Sequence, residues 1–194
     1  MEIMRIVVTG PVGAGKSSFI RTISEIDVVD TDRKATDETA AWKTKTTVAM
    51  DFGRLHFGKD VALHLYGTPG QERFDFMWDM LIRKAHAFIL LVSSHRPQDF
   101  RAARRILAFM RHRASIPMLI GLSHADNPAA WPMDEILLAL GYPSSHHRPP
   151  AVSVNALEPA SVVNALAALI EAYARDKWQN STDSIKMHSF SGVM

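Results

Sequence analysis

"GPVGAGKSS", residues 10–18, stands directly behind the apolar run "IMRIVVT" of residues 3–9. Gly10, Gly15, Lys16 and Ser17 meet the spacing G-x-x-x-x-G-K-[ST]. A phosphate group needs several N–H donors at close range; glycines let the backbone fold around it, and a helix N-terminus adds positive potential. Gly13, Ala14, Gly15, Lys16, Ser17 and Ser18 are therefore the candidate phosphate-binding positions. In such a loop the lysine reaches the terminal phosphates and the serine hydroxyl ligates Mg²⁺, which assigns those roles to Lys16 and Ser17. The bland alternative is a glycine-rich turn with a lysine by chance. The strand before it and the helix pattern "KSSFIRTIS" after it favour the phosphate reading.

Outward from this loop, short β-rich runs alternate with longer helical patterns. Strands are expected at 3–9, 47–57, 61–67, 87–93, 116–122 and 150–154. Continuous apolar runs such as "FILLV" suit strands covered on both faces. Helices are expected at 16–24, 74–85, 97–113, 132–140 and 159–177, the last carrying an apolar stripe of Val162, Leu166, Leu169, Ile170 and Tyr173. Only "GKD", residues 58–60, joins the second and third strands, so these form an antiparallel hairpin. The other connections are helical crossovers, which make the remaining strands parallel. The expectation is a three-layer α/β sandwich. It has a mostly parallel six-stranded sheet, one antiparallel edge hairpin strand and helices on both faces. Residues 1–177 form one domain; residues 178–194 lose periodicity and read as a flexible tail.

A chain of 194 residues suits one substantial core. A net charge of +2 without a dense basic run gives no reason to expect nucleic acid as a partner. The chain has no cysteine, which excludes disulfides, thiolate metal sites and cysteine nucleophiles and fits a cytoplasmic location. No signal peptide, lipidation motif or membrane-length apolar run is present, so no direct membrane anchor is expected. "SHHRPP", with His146 and His147, has no third spaced ligand and reads as surface; His56 and His64 read as edge or core residues.

Four further stretches narrow the reading. "YGTPGQERF" at 66–74 resembles the D-T-A-G-Q-E of Ras-like small GTPases, and "TTVAMDF" resembles the T-I-G-V-D-F strand of the Rab type. "GLSHADNP" stands in the place of the guanine motif N-K-x-D, and "VNALEPASV" in that of the S-A-K loop. Their order and strand contexts resemble the small GTPase family over roughly residues 3–175. The wording "KTTVAMDFGRL", "YGTPGQERF" and "GP" is most similar to the prokaryotic branch: gliding-motility polarity GTPases and those of conservon-type operons. The resemblance implies GTP/GDP and Mg²⁺ as ligands and a small roadblock/LC7 dimer as regulator. It also implies effectors that bind switch I, switch II and the segment 74–80, from Phe74 to Met80.

Residue by residue, the resemblance gives Thr47 the Mg²⁺ ligand role of switch I, with Thr46 as its rival. Gly70 senses the γ-phosphate, and Gln71 orients the attacking water. Asp126 and His124 stand at the base, as do Asn155, Ala156 and Leu157. Three departures stand out. Gly67 replaces the aspartate that opens D-x-x-G and holds a Mg²⁺-bound water. Val12 crowds the approach through which a partner's arginine reaches the phosphates. "SHAD" keeps only the aspartate, Ser123 and His124 replacing asparagine and lysine. The segment between Lys16 and Thr47 is longer than in typical relatives and polar; Arg33 within it is a candidate arginine finger in cis, competing with Arg21, Arg54 and Arg73. Three functions compete: a GTP-hydrolysing switch, slow unless activated; a nucleotide-dependent scaffold with little hydrolysis; and a P-loop ATPase or kinase.

Overall fold

The computed structural model describes residues 2–30, 50–143 and 148–190. The run Ala87–Ser93 forms β5, and all of its residues are buried. Phe88, Leu90 and Val92 enter one hydrophobic cluster, Ala87, Ile89 and Leu91 the other. A strand covered on both faces has no use for alternating polarity, which explains its unbroken apolar sequence.

Around it stand β1 (Glu2–Thr9), β3 (Asp51–Phe57), β4 (Val61–Gly67), β6 (Met118–Ser123) and β7 (Ala151–Val154), with a two-residue β2 (Val29–Asp30). The sheet order is β2-β3-β4-β1-β5-β6-β7. The pairs β4–β1, β1–β5, β5–β6 and β6–β7 are parallel, while β3 is antiparallel to both β4 and β2. All six expected strands are present, and β2 adds a short seventh outside the hairpin. The strand expected from residue 47 starts at Asp51; residues 47–49 lie outside the described residues. Gly58, with φ +67°, supplies the left-handed turn of the hairpin loop.

Helices α1 (Lys16–Ile23) and α5 (Pro159–Phe190) cover one face. Phe19, Ile20, Val162, Leu166 and Leu169 are buried there against Ile6, Leu65 and Ile89. Helices α2 (Asp75–Ile82), α3 (Phe100–Arg113) and α4 (Met133–Ala139) cover the other face through Trp78, Ile106, Met110 and Ile136. Single 3₁₀ turns at Glu72–Phe74 and Pro97–Asp99 precede α2 and α3, so both helices begin later than their sequence patterns. The expected end of the last helix at Lys177 is corrected: α5 continues to Phe190. No glycine or proline lies between Pro159 and Gly192, so nothing local breaks the helix where its apolar stripe ends.

The strand order reverses at β1: the hairpin lies on one side of it and β5 to β7 on the other. In open α/β sheets a crevice forms at the carboxyl ends of the strands flanking such a point. The loops after β1, β4, β5, β6 and β7 all emerge at this edge.

Candidate functional site

The loop after β1 is shaped by two close fits. Gly10 lies so near the β5 backbone that a Cβ would stand 2.1 Å from the Leu91 carbonyl oxygen. Gly15, at φ +92°, caps α1 in the left-handed region. No side chain caps α1, and no acidic residue occupies its first turn. Its leading N–H groups thus meet no carboxylate of their own helix, the condition under which a helix start attracts an anion.

Lys16 is buried at 8% exposure, and its Nζ donates to the carbonyls of Gly10 at 2.8 Å and Pro11 at 2.7 Å. Burial pulls its pKa down to about 8, against which the negative charge of Asp51 works upward. Ser17 donates its hydroxyl to the Asp51 carboxylate at 2.6 Å. Ala14 is buried, Ser17 and Ser18 are half-buried, and the Val12 side chain is exposed.

The loop after β4 is drawn against this cradle. The Thr68 N–H donates to the Val8 carbonyl, and the hydroxyls of Thr68 and Thr9 pair at 2.8 Å. Trp78 of α2 donates its ring N–H to the Pro69 carbonyl at 2.8 Å. Gly70 follows, so close to the phosphate loop that a Cβ would meet the Val12 nitrogen at 2.6 Å and Lys16 Nζ at 3.0 Å. Gln71, next in the chain, is exposed.

Where the loop after β6 begins, buried Ser123 ties it to the cradle by donating its hydroxyl to the Ala14 carbonyl at 2.9 Å. His124 adopts φ +56°, and its Nδ1 lies 3.2 Å from the Ser93 hydroxyl. Its ring meets that of His95 edge to face, with centroids 4.8 Å apart. Asp126 is exposed on the turn that follows. The loop after β7 reaches the same place from the other side. The Ala156 carbonyl accepts the Thr22 hydroxyl of α1 at 2.7 Å. The Asn155 side chain turns the loop by accepting the Leu157 N–H, and Leu157 is exposed.

The structure thus gathers Gly13, Ala14, Gly15, Lys16, Ser17, Ser18, Gly70, Gln71, His124, Asp126, Asn155, Ala156 and Leu157 at the carboxyl edge of the sheet. Thr47, its rival Thr46 and Arg33 lie outside the described residues, as do His146 and His147. His56, near the end of β3, pairs with Glu25 of the segment that follows α1. Arg73 stacks over the Phe74 ring.

Two neighbours of the site escaped the sequence reading. Arg96, which follows β5, brings Nη1 to within 2.6 Å of where a Gly13 Cβ would stand, while its Nε pairs with Asp99. No motif announces it, because the contact spans distant parts of the chain. Asp51 was legible in principle: counting outward from the hairpin loop sets it opposite Gly67.

Comparison with known proteins follows the same lines. Residues 26–174 match the family described as "Conserved hypothetical ATP binding protein", a match that begins after the phosphate loop. The "Ras and EF-hand domain-containing protein" of Danio rerio is 30% identical over 135 residues, 67% of this chain and 19% of that one. The "EF-hand calcium-binding domain-containing protein 4B" of Homo sapiens is 29% identical over 131 residues, 65% of this chain and 16% of that one. An uncharacterized protein of Methanocaldococcus jannaschii is 29% identical over 94 residues, 48% of this chain and 53% of that one. The matched parts therefore span between 16% and 53% of those relatives' lengths. Among solved structures, the Arl6 BBS3 small GTPase of Trypanosoma brucei, with bound nucleotide analogue GppNp, superposes with a TM-score of 0.67 at 18% identity. That likeness covers 89% of this chain and 98% of the other, and it shows the fold. With its small-GTPase-like sheet and its phosphate loop at the strand-switch point, this chain belongs to the family of conserved hypothetical ATP binding proteins, a family of P-loop nucleotide-binding domains.

Proposed function

We propose that this chain is a GTP-binding switch that works with Mg²⁺ and hydrolyses GTP slowly until a partner acts on it. The observation that carries the reading is the hydroxyl of Ser123 donating to the Ala14 carbonyl. It ties the loop of Asp126 to the phosphate loop, so one nucleotide can reach from Lys16 at its phosphates to Asp126 at its base. Asp126 accepts the two N–H groups on the guanine edge, a pairing adenine does not offer. His124, Asn155, Ala156 and Leu157 flank the base. Gly70 offers its N–H to the terminal phosphate, and Gln71 positions the attacking water; phosphoryl transfer is mostly positioning and electrostatics, so a neutral amide suffices.

The donor set fits magnesium: a hydroxyl paired with a carboxylate supplies hard oxygen ligands, the kind this ion takes alongside phosphates. Ser17 holds it, with Thr47 as the switch I ligand. When bound, the ion neutralises charge on the phosphates. Regulation belongs to a small dimer of the roadblock/LC7 type acting on the two switch segments. The exposed Phe76 and Met80 of α2 suit an effector surface, as apolar side chains free of the core do.

A second reading, adenine nucleotide, is favoured by the description of the matched family. Calorimetry with GTP, GDP, ATP and ADP, each with and without Mg²⁺, separates the two. We expect guanine nucleotides to bind at least about tenfold tighter, a difference of about 1.4 kcal/mol. Asp126→Asn should lower GTP affinity and raise that for xanthosine triphosphate, whose base presents a carbonyl where guanine presents an amine. ATP binding as tight as GTP would overturn the guanine assignment.

A further inference from the structure

We propose that Asp51 is the carboxylate of the magnesium site, supplied from β3 in place of the residue that Gly67 of β4 does not carry. The inference rests on the nucleotide reading above and adds a residue to it. Three observations meet at this point. Asp51 and Gly67 are direct partners in the antiparallel register of β3 and β4. The Asp51 Oδ2 accepts the hydroxyl of Ser17, the residue that follows the buried lysine, at 2.6 Å. The space beside Gly67 is taken: a Cβ there would stand 3.1 Å from Asp51 Cβ, 3.2 Å from Asp51 Oδ2 and 2.9 Å from Ile20 Cδ1.

The pocket between the two strands and α1 thus has room for one acidic side chain, and the sequence puts it on β3. In the antiparallel hairpin the two paired positions face the same side of the sheet, towards α1. A carboxylate can cross from one to the other while aiming at the same hydroxyl. The substitution at Gly67 therefore moves the negative charge to the neighbouring strand rather than deleting it. The glycine is the steric condition for the move. The hydroxyl and carboxylate together offer oxygen donors beside the phosphate loop, which is the chemistry magnesium takes when it retains several waters and shares phosphate oxygens.

The test is the ratio of nucleotide affinities with Mg²⁺ and with EDTA, measured with a fluorescent GDP analogue on the full chain. A ratio cancels any general loss of binding, and thermal melting reports whether each variant folds. For the wild type the ratio should be large. Asp51→Asn keeps the shape and removes the charge, and it should shrink the ratio by about 10–100-fold, the usual cost of losing a supporting group at a metal site. The exchange variant Asp51→Gly with Gly67→Asp returns a carboxylate to the same pocket from the other strand and should recover most of the ratio. Asp51→Asn with an undiminished ratio overturns the proposal while leaving nucleotide binding intact. A wild type that binds nucleotide without Mg²⁺ dependence overturns it as well. A wild type that binds no nucleotide in either buffer overturns the functional reading itself, and the proposal with it.

Discussion

Burial and charge compete at Lys16. Its ammonium is held by the carbonyls of Gly10 and Pro11, and burial draws its pKa from 10.5 to about 8. Between these values the unfolded chain carries a proton that the folded, nucleotide-free protein does not, so folding stability rises with pH across that window. Nucleotide binding acts in the opposite sense. Phosphate oxygens beside Nζ favour the charged lysine and carry its pKa back up. Below about pH 8 the lysine is already charged and its contribution to affinity is level. Above that, binding takes up a proton and affinity falls as pH rises. Calorimetry at pH 9 in buffers of different ionisation enthalpy should register this uptake. Lys16→Ala should weaken binding by well over tenfold, more than about 1.4 kcal/mol, and abolish the uptake. An unchanged affinity in that variant would remove the lysine from the phosphate site.

The elements meet the site at their ends, and the bonds between those ends hold it together. Ser123 closes β6 and reaches back to Ala14, across 109 positions of chain. Sequence reading treats Ser123 as a lost asparagine, because it judges the residue against a motif and not by its neighbour. In the structure the shorter hydroxyl reaches the carbonyl of the phosphate loop directly. The same limit hides Arg96 beside Gly13 and Asp51 beside Ser17, since such contacts depend on strand order and register. By contrast the phosphate loop, the hairpin and the all-apolar β5 are legible, because each is fixed by residues adjacent in sequence. Helix α5 lies between these cases: its stripe ends at Tyr173, yet no breaker stops the backbone. Ser123→Ala tests the tie between elements. Removing one partner of a buried hydrogen bond costs about 1–3 kcal/mol. A chain of this size loses about 2–4 °C of melting temperature per kcal/mol. Melting should therefore drop by several degrees and nucleotide affinity should fall with it; a change in neither would show that the two loops are held by other means.

Across the whole molecule, the groups assigned to the proposed hydrolysis are carried by two layers separated by the sheet. The phosphate loop runs into α1, which packs with α5 on one face. The loop bearing Gly70 and Gln71 is fastened to α2 on the other face by the bond from Trp78 to the Pro69 carbonyl. Lys16 is buried and held by two carbonyls, while Gln71 stands exposed at the end of a separate support. In the proposed reaction, alignment of a water on the terminal phosphate requires the α2 support to settle against the phosphate loop, where Gly70 stands close to Val12 and Lys16. Among the described residues Arg96 is an arginine close to the loop, but it lies beside Gly13 and is engaged with Asp99. An arginine at the transferring group is worth about 10³–10⁵ in rate. Without one in position, single-turnover hydrolysis of GTP by the isolated chain should run at about 10⁻⁴ to 10⁻³ s⁻¹. Gln71→Leu should slow it further and, if the proposed regulator works by aligning the α2-supported loop, remove its stimulation. A basal rate near 1 s⁻¹, or full stimulation of Gln71→Leu, would mean that the water is positioned by residues other than Gln71 and that the division between the two layers does not limit the reaction.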